Sequence, residues 1–93
     1  MATRFLVEVP HEEPVAACAR AVEVFLRTGS HFLSHADWGC KDGVHSAWMI
    51  VDVDTKEDAL RIVPPAFRAK TKVIRLNTFT MTEIQEILQH HKA

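Results

Sequence analysis

The chain has 93 residues, 47% hydrophobic and 25% charged, with eleven Lys and Arg against twelve Asp and Glu for a formal charge of -1. A chain of this length is expected to form one domain, residues 1–93, from one layer of helices over one sheet, and it is too apolar for a disordered segment. The balanced charge argues against nucleic acid as a partner, no apolar run approaches the roughly 18 residues of a membrane span, and Arg4, Glu8, His11, Glu12 and Glu13 break any signal-peptide core, so the sequence reads as cytoplasmic.

Arg4 to Val9 (RFLVEV) is rich in β-branched and aromatic residues and is stopped by Pro10, which predicts a first strand. Phe5, Val7 and Val9 fall on one face of it, Arg4, Leu6 and Glu8 on the other. From Glu12 to Thr28, Val15, Cys18, Val22 and Phe25 recur at helical spacing, with Pro14 in the first turn and Gly29 past the end. His31 to Cys40 and Val44 to Val53 read as two extended runs, paired antiparallel around Lys41-Asp42-Gly43. Thr55 and Asp58 open a short helix carrying Ala59, Leu60, Ile62 and Val63 until Pro64-Pro65 ends it. Lys72 to Phe79 is again strand-like, and Thr80-x-x-Glu83 resembles a capping box before a terminal helix over residues 81–92, with Ile84, Ile87 and Leu88 on one side.

Two crossovers with a hairpin between them predict an α+β domain of ferredoxin-like βαββαβ order: a four-stranded antiparallel sheet, two helices on one face and an extra C-terminal helix. The helix-covered face would collect Phe5, Val7, Val9, Phe32, Ala36, Ala47, Met49, Val51, Ile74 and Leu76. The other would carry Leu6, Glu8, Leu33, His35, Asp37, Trp48, Ile50, Val73, Arg75 and Asn77, too apolar to stay open on a monomer. A second copy placed sheet to sheet would cover it and leave a small-molecule pocket lined by its polar members, so the expected partner is a homodimer mate.

This pattern resembles the dimeric α+β barrel superfamily of muconolactone isomerases and cofactor-independent monooxygenases. The closest local likeness is to muconolactone isomerase over Trp48 to Phe79: a strand, a short helix, Pro64-Pro65-Ala66-Phe67, and the strand Lys72-Val73-Ile74-Arg75-Leu76. The resemblance implies the barrel dimer, places Phe67 near the mouth of the cavity and makes the terminal helix a dimer-locking addition. It transfers no catalytic residue.

Glu8, His35 and Arg75 are expected to reach one side of the sheet as a catalytic set, with Trp48, Asn77, Leu33 and Phe67 binding the substrate. A Glu or His screened from water shuttles a proton while Arg75 holds an anionic substrate or a developing enolate. The competing structural reading is a Glu8–Arg75 ion pair at the interface. That chemistry needs no cofactor. The alternative is a zinc, nickel or copper site at His31, His35, Cys40 and His45. Against it, His31 and His35 would stand roughly 13 Å apart along a strand. Cys18 and Cys40 are too few and too far apart in sequence for a disulfide framework and are expected to be reduced; Cys18, on the apolar helix stripe, reads as packing. A third possibility is an accessory module that meets another polypeptide through the terminal helix.

Overall fold

The computed structural model describes residues 2–91. Alternation sets the first strand, β1 (Thr3–Pro10), in which Phe5, Val7 and Val9 are buried. Helix α1 (Val15–Arg27) follows with Pro14 as its N-cap, and it buries Ala21 and Phe25. β3 (Ser46–Val53) runs antiparallel to β1, pairing Phe5 with Val51, Val7 with Met49 and Val9 with Ala47, so both strands point the same apolar alternation at the helices. α3 (Lys56–Ile62) is capped by Thr55, whose hydroxyl accepts from the Asp58 amide at 3.1 Å, and it brings Ala59 into the same core.

The result is an α+β fold with a four-stranded antiparallel sheet of order β2-β3-β1-β4, its edges being β2 (Asp37–Trp38) and β4 (Lys72–Arg75). The link from β1 to β2 passes over β3, and the link from β3 to β4 passes over β1. Phe25 packs edge-on against Trp38 (4.9 Å between ring centres) and Phe67 (5.8 Å), which ties α1 to both crossovers.

The stretch expected to be one extended run from His31 to Cys40 is mostly not a strand. Ser30 caps a helical turn, α2 (His31–Ser34), by accepting from the Leu33 amide at 3.4 Å, and only Asp37–Trp38 pairs with β3. A local side-chain cap outcompetes the ladder here. Leu33 consequently lies in the core at 2% exposure instead of on the open face. The turn to β3 is a 3-10 segment, Cys40–Asp42, closed by Gly43 at φ 81°, a left-handed conformation that glycine adopts without penalty.

The last strand corrects a second expectation. β4 pairs Val73 with Val7 and Ile74 with Leu6, so Val73 faces the core and Ile74 the open side, one residue out of phase with the sequence assignment. Arg75 therefore sits opposite Phe5, on the helix-covered side. A 3-10 segment, Pro65–Lys70, precedes β4, anchored by Arg68 Nε donating to the Val63 carbonyl at 2.7 Å.

Helix α4 (Met81–His90) begins at Thr80, whose hydroxyl accepts from the Glu83 amide at 3.2 Å; residue 92 of its expected span lies outside the described residues. It stands away from the body, with Met81 71% and Leu88 62% exposed, and the chain measures 53 × 30 × 21 Å. Among the described residues no helix is long and apolar enough to cross a membrane.

Candidate metal centre

Three side chains from three separate segments meet at one end of the sheet. His11 follows directly on β1, Cys18 lies one turn into α1, and Cys40 starts the 3-10 turn after β2. Their ligand atoms all lie within 4.8 Å of one another, and all three residues are half-buried. Trp38 leans on the His11 ring at 5.7 Å, which gives the group an apolar wall.

The hydrogen bonds fix the protons. His11 Nδ1 lies 2.9 Å from the Glu12 carbonyl, which can only accept, so Nδ1 carries the hydrogen and Nε2 keeps its lone pair. Nε2 lies 3.0 Å from Cys40 Sγ and accepts from that thiol. Cys40 Sγ in turn accepts from Cys18 Sγ at 2.7 Å, and both cysteines are free thiols. The relay runs from Cys18 through Cys40 and His11 to the Glu12 carbonyl, and each link has one proton. Burial pushes the Cys40 thiol above its ordinary value of 9.0, and the hydrogen bond and charge interaction with Cys18 push it the same way.

This donor set fits a thiophilic ion. An imidazole whose far nitrogen donates to a carbonyl is oriented and made more basic, the arrangement that metal-ligating histidines use. Two thiolate sulfurs about 2.3 Å from a tetrahedral ion lie about 3.8 Å apart. At 2.7 Å the two sulfurs stand about 1 Å closer than a tetrahedral bis-thiolate site would hold them. His45 is a neighbouring imidazole: its ring centre is 5.7 Å from that of His11, and its buried Nδ1 has no hydrogen-bond partner among the described residues.

The expected metal set is therefore divided. Cys40 lies at this centre, where it is joined by His11 and Cys18, and His45 stands beside His11 outside the converging set. His31 opens α2 and His35 caps its far end, with their ring centres 4.4 Å apart, because a helical turn and not a strand joins them.

The expected catalytic set does not assemble. Glu8 and Trp48 are directly opposite on the open face, and Glu8 Oε1 accepts from Trp48 Nε1 at 3.0 Å. His35 caps α2, Arg75 faces the other side of the sheet, and Asn77 lies beyond the end of β4. Of the expected ligand contacts, Phe67 lines a cleft of about 360 Å³ walled also by Pro10, His11, Ala17, Arg20 and Lys70. That cleft shares His11 with the thiol group and is on the helix side, away from Glu8.

Sequence reasoning missed His11 because it follows a strand-ending proline in a loop, and it read Cys18 as packing because a helix stripe explains it equally well. The available signal was topological: a residue just past β1, a residue early in the next helix and a residue in the β2–β3 turn are brought to one end of the sheet by the crossover. Compared with protein-family models, curated proteins and solved structures, the chain matches none of them.

Proposed function

We propose that the protein binds a thiophilic metal ion, zinc(II) or copper(I), through His11, Cys18 and Cys40. The observation that carries this reading is the convergence of three ligand atoms from three segments within 4.8 Å, one on an imidazole already held by a carbonyl. Two sulfurs and one nitrogen leave a fourth position, which His45 fills in a closed site or a small molecule fills in an open one. Cobalt(II) titration tests the reading, because thiolate coordination produces intense near-ultraviolet charge-transfer bands. One cobalt per chain with those bands is expected in the native protein, and Cys18→Ser with Cys40→Ser abolishes them. A native protein that gives no thiolate bands and retains no zinc after dialysis refutes the proposal.

A second reading concerns assembly and rests on a different observation. Ile50 (53% exposed), Ile74 and Leu6 share the open face, and the detached α4 carries exposed Met81, Ile87 and Leu88. We infer that a second copy covers these surfaces as a homodimer, the chain being a ferredoxin-like βαββαβ unit of a dimeric α+β barrel. The two crossovers and the placement of α1 and α3 over one core support that finer fold; the additional α2 and the two-residue β2 depart from its simplest form. Multi-angle light scattering checks it: Ile50→Glu with Ile74→Glu is expected to turn a 21 kDa species, about twice the 10.5 kDa chain, into a monomer. A monomeric native protein ends this reading and leaves the metal centre, which lies within one chain, untouched.

A further inference from the structure

We propose that His31 and His35 form a second metal site, on the surface of α2, for a borderline divalent cation of the copper(II), nickel(II) or zinc(II) type. It is separate from the thiol centre and independent of it, since no residue is shared. The two rings are four residues apart, which on a helical turn places them on one side, one above the other. Their centres are 4.4 Å apart. Two imidazoles bound through one nitrogen each, at about 2.0–2.1 Å, hold their centres roughly 4.5–5.2 Å apart for angles at the ion between square and tetrahedral. The ring centres therefore stand about 0.1 Å from the lower end of that range.

The proton pattern of His35 favours the same reading. Its Nδ1 lies 2.8 Å from the His31 carbonyl and 3.2 Å from the Ser34 hydroxyl. The carbonyl only accepts, so Nδ1 carries the hydrogen, and Nε2 keeps its lone pair toward solvent. Ser34 Oγ itself donates to the same His31 carbonyl at 3.0 Å, so one carbonyl takes both the serine and the imidazole. This is the second-shell arrangement that orients a ligating histidine, here made from the site's own backbone. Both histidines and Ser34 are exposed, so an ion reaches the pair without any opening of the fold. His31 also packs against Phe32, whose ring is 6.0 Å away and reaches toward the core, which limits the swing of the His31 ring.

Two nitrogen donors leave the rest of the coordination sphere to water or a small anion. That suits ions that tolerate square or tetragonal nitrogen–oxygen surroundings and follow the order in which copper(II) exceeds nickel(II) and zinc(II). The thiol centre favours softer ions such as copper(I), so copper(II) and nickel(II) are the ions that distinguish the histidine pair from it.

Nickel(II) titration of full-length, untagged protein by calorimetry tests the proposal, in a Cys18→Ser, Cys40→Ser background that removes the thiol centre. One nickel per chain is expected, weakened at least tenfold by His31→Gln or by His35→Gln and unaffected by His90→Ala with His91→Ala. Far-ultraviolet circular dichroism of each variant checks that the fold persists. No nickel binding in the serine background, or binding that survives both glutamine variants, overturns the site. Loss only in the His90, His91 variant assigns the binding to the terminal tail and overturns it equally. Since the cysteines are absent throughout, failure here is distinct from failure of the thiol centre.

Discussion

Gly39→Ala is a demanding test of how the hairpin that carries Cys40 is held. Gly39 has φ -97°, which any residue adopts, so the glycine is required by space and not by conformation. A Cβ there would lie 2.7 Å from Trp48 Cζ3, 2.7 Å from the Val44 carbonyl oxygen and 2.9 Å from Trp48 Cη2. Ordinary carbon contacts begin near 3.5 Å, so the overlap is about 0.8 Å against a rigid ring and a backbone atom together. Overpacking of this kind costs about 1–3 kcal/mol. If the indole swings away instead, it leaves its hydrogen bond to Glu8, and a bond to a charged group is worth about 1.5–3 kcal/mol. The cheaper of the two routes sets an expected destabilisation of about 1–3 kcal/mol, or a urea midpoint lowered by roughly 1–2 M with the slope unchanged. Gly43→Ala is the contrasting control: nothing lies within 4 Å of its Cβ, but φ 81° is left-handed, so about 1–2 kcal/mol is expected from backbone strain alone. Unfolding followed by tryptophan fluorescence reads both. A Gly39→Ala protein within about 0.5 kcal/mol of native stability, with an unchanged indole signal, would show that Trp48 does not pack on Gly39 as described.

Metal affinity at the thiol centre should rise with pH, because an ion displaces the protons of Cys18 and Cys40, and burial holds the Cys40 proton more tightly than usual. Calorimetry in buffers of different ionisation enthalpy counts the released protons, and a count of zero at neutral pH contradicts thiolate ligation. The same shift has a consequence for the metal-free protein. A raised folded-state value favours the protonated form, so its contribution to stability is full below pH 9.0 and is lost as the pH rises through the folded value. Urea midpoints at pH 8 and pH 10, compared between native protein and Cys40→Ser, isolate that loss. His45→Ala should weaken zinc at least tenfold if His45 closes the site, and leave it unchanged if the fourth position is open to solvent. Phe25→Ala should cost about 3–5 kcal/mol in denaturant unfolding, since its fully buried ring contacts Trp38 and Phe67 together.

Much of the scaffold was legible from pattern. The alternation of Phe5, Val7 and Val9 and of Ala47, Met49 and Val51, the caps at Thr55 and Thr80 and the helix over Val15–Arg27 all follow local rules that the tertiary structure keeps. β4 was ambiguous because Val73 and Ile74 are adjacent, both apolar and flanked by Lys72 and Arg75, so either phase satisfies the alternation; only pairing with β1 decides it. His31–Ser34 misled for a different reason. Phe32, Leu33 and the residues beyond read as a strand, while the Ser30 cap competed within one turn. Of the thiol centre, Cys40 was visible as a metal-type residue near a turn, as was its neighbour His45. His11 and Cys18 became visible only once the crossover set their positions in space.

The outlying terminal helix also determines how the protein will diffuse. A compact chain of 93 residues has a radius of gyration near 12 Å, whereas this one measures 16.7 Å. A single chain of that girth meets more solvent friction than its mass implies and leaves a sizing column early, at the volume of a heavier sphere. Elution position therefore exaggerates the molecular weight of a lone copy, and a rotational correlation time would err in the same direction. Subunit number has to be counted by weighing, through scattered light, sedimentation equilibrium or intact mass.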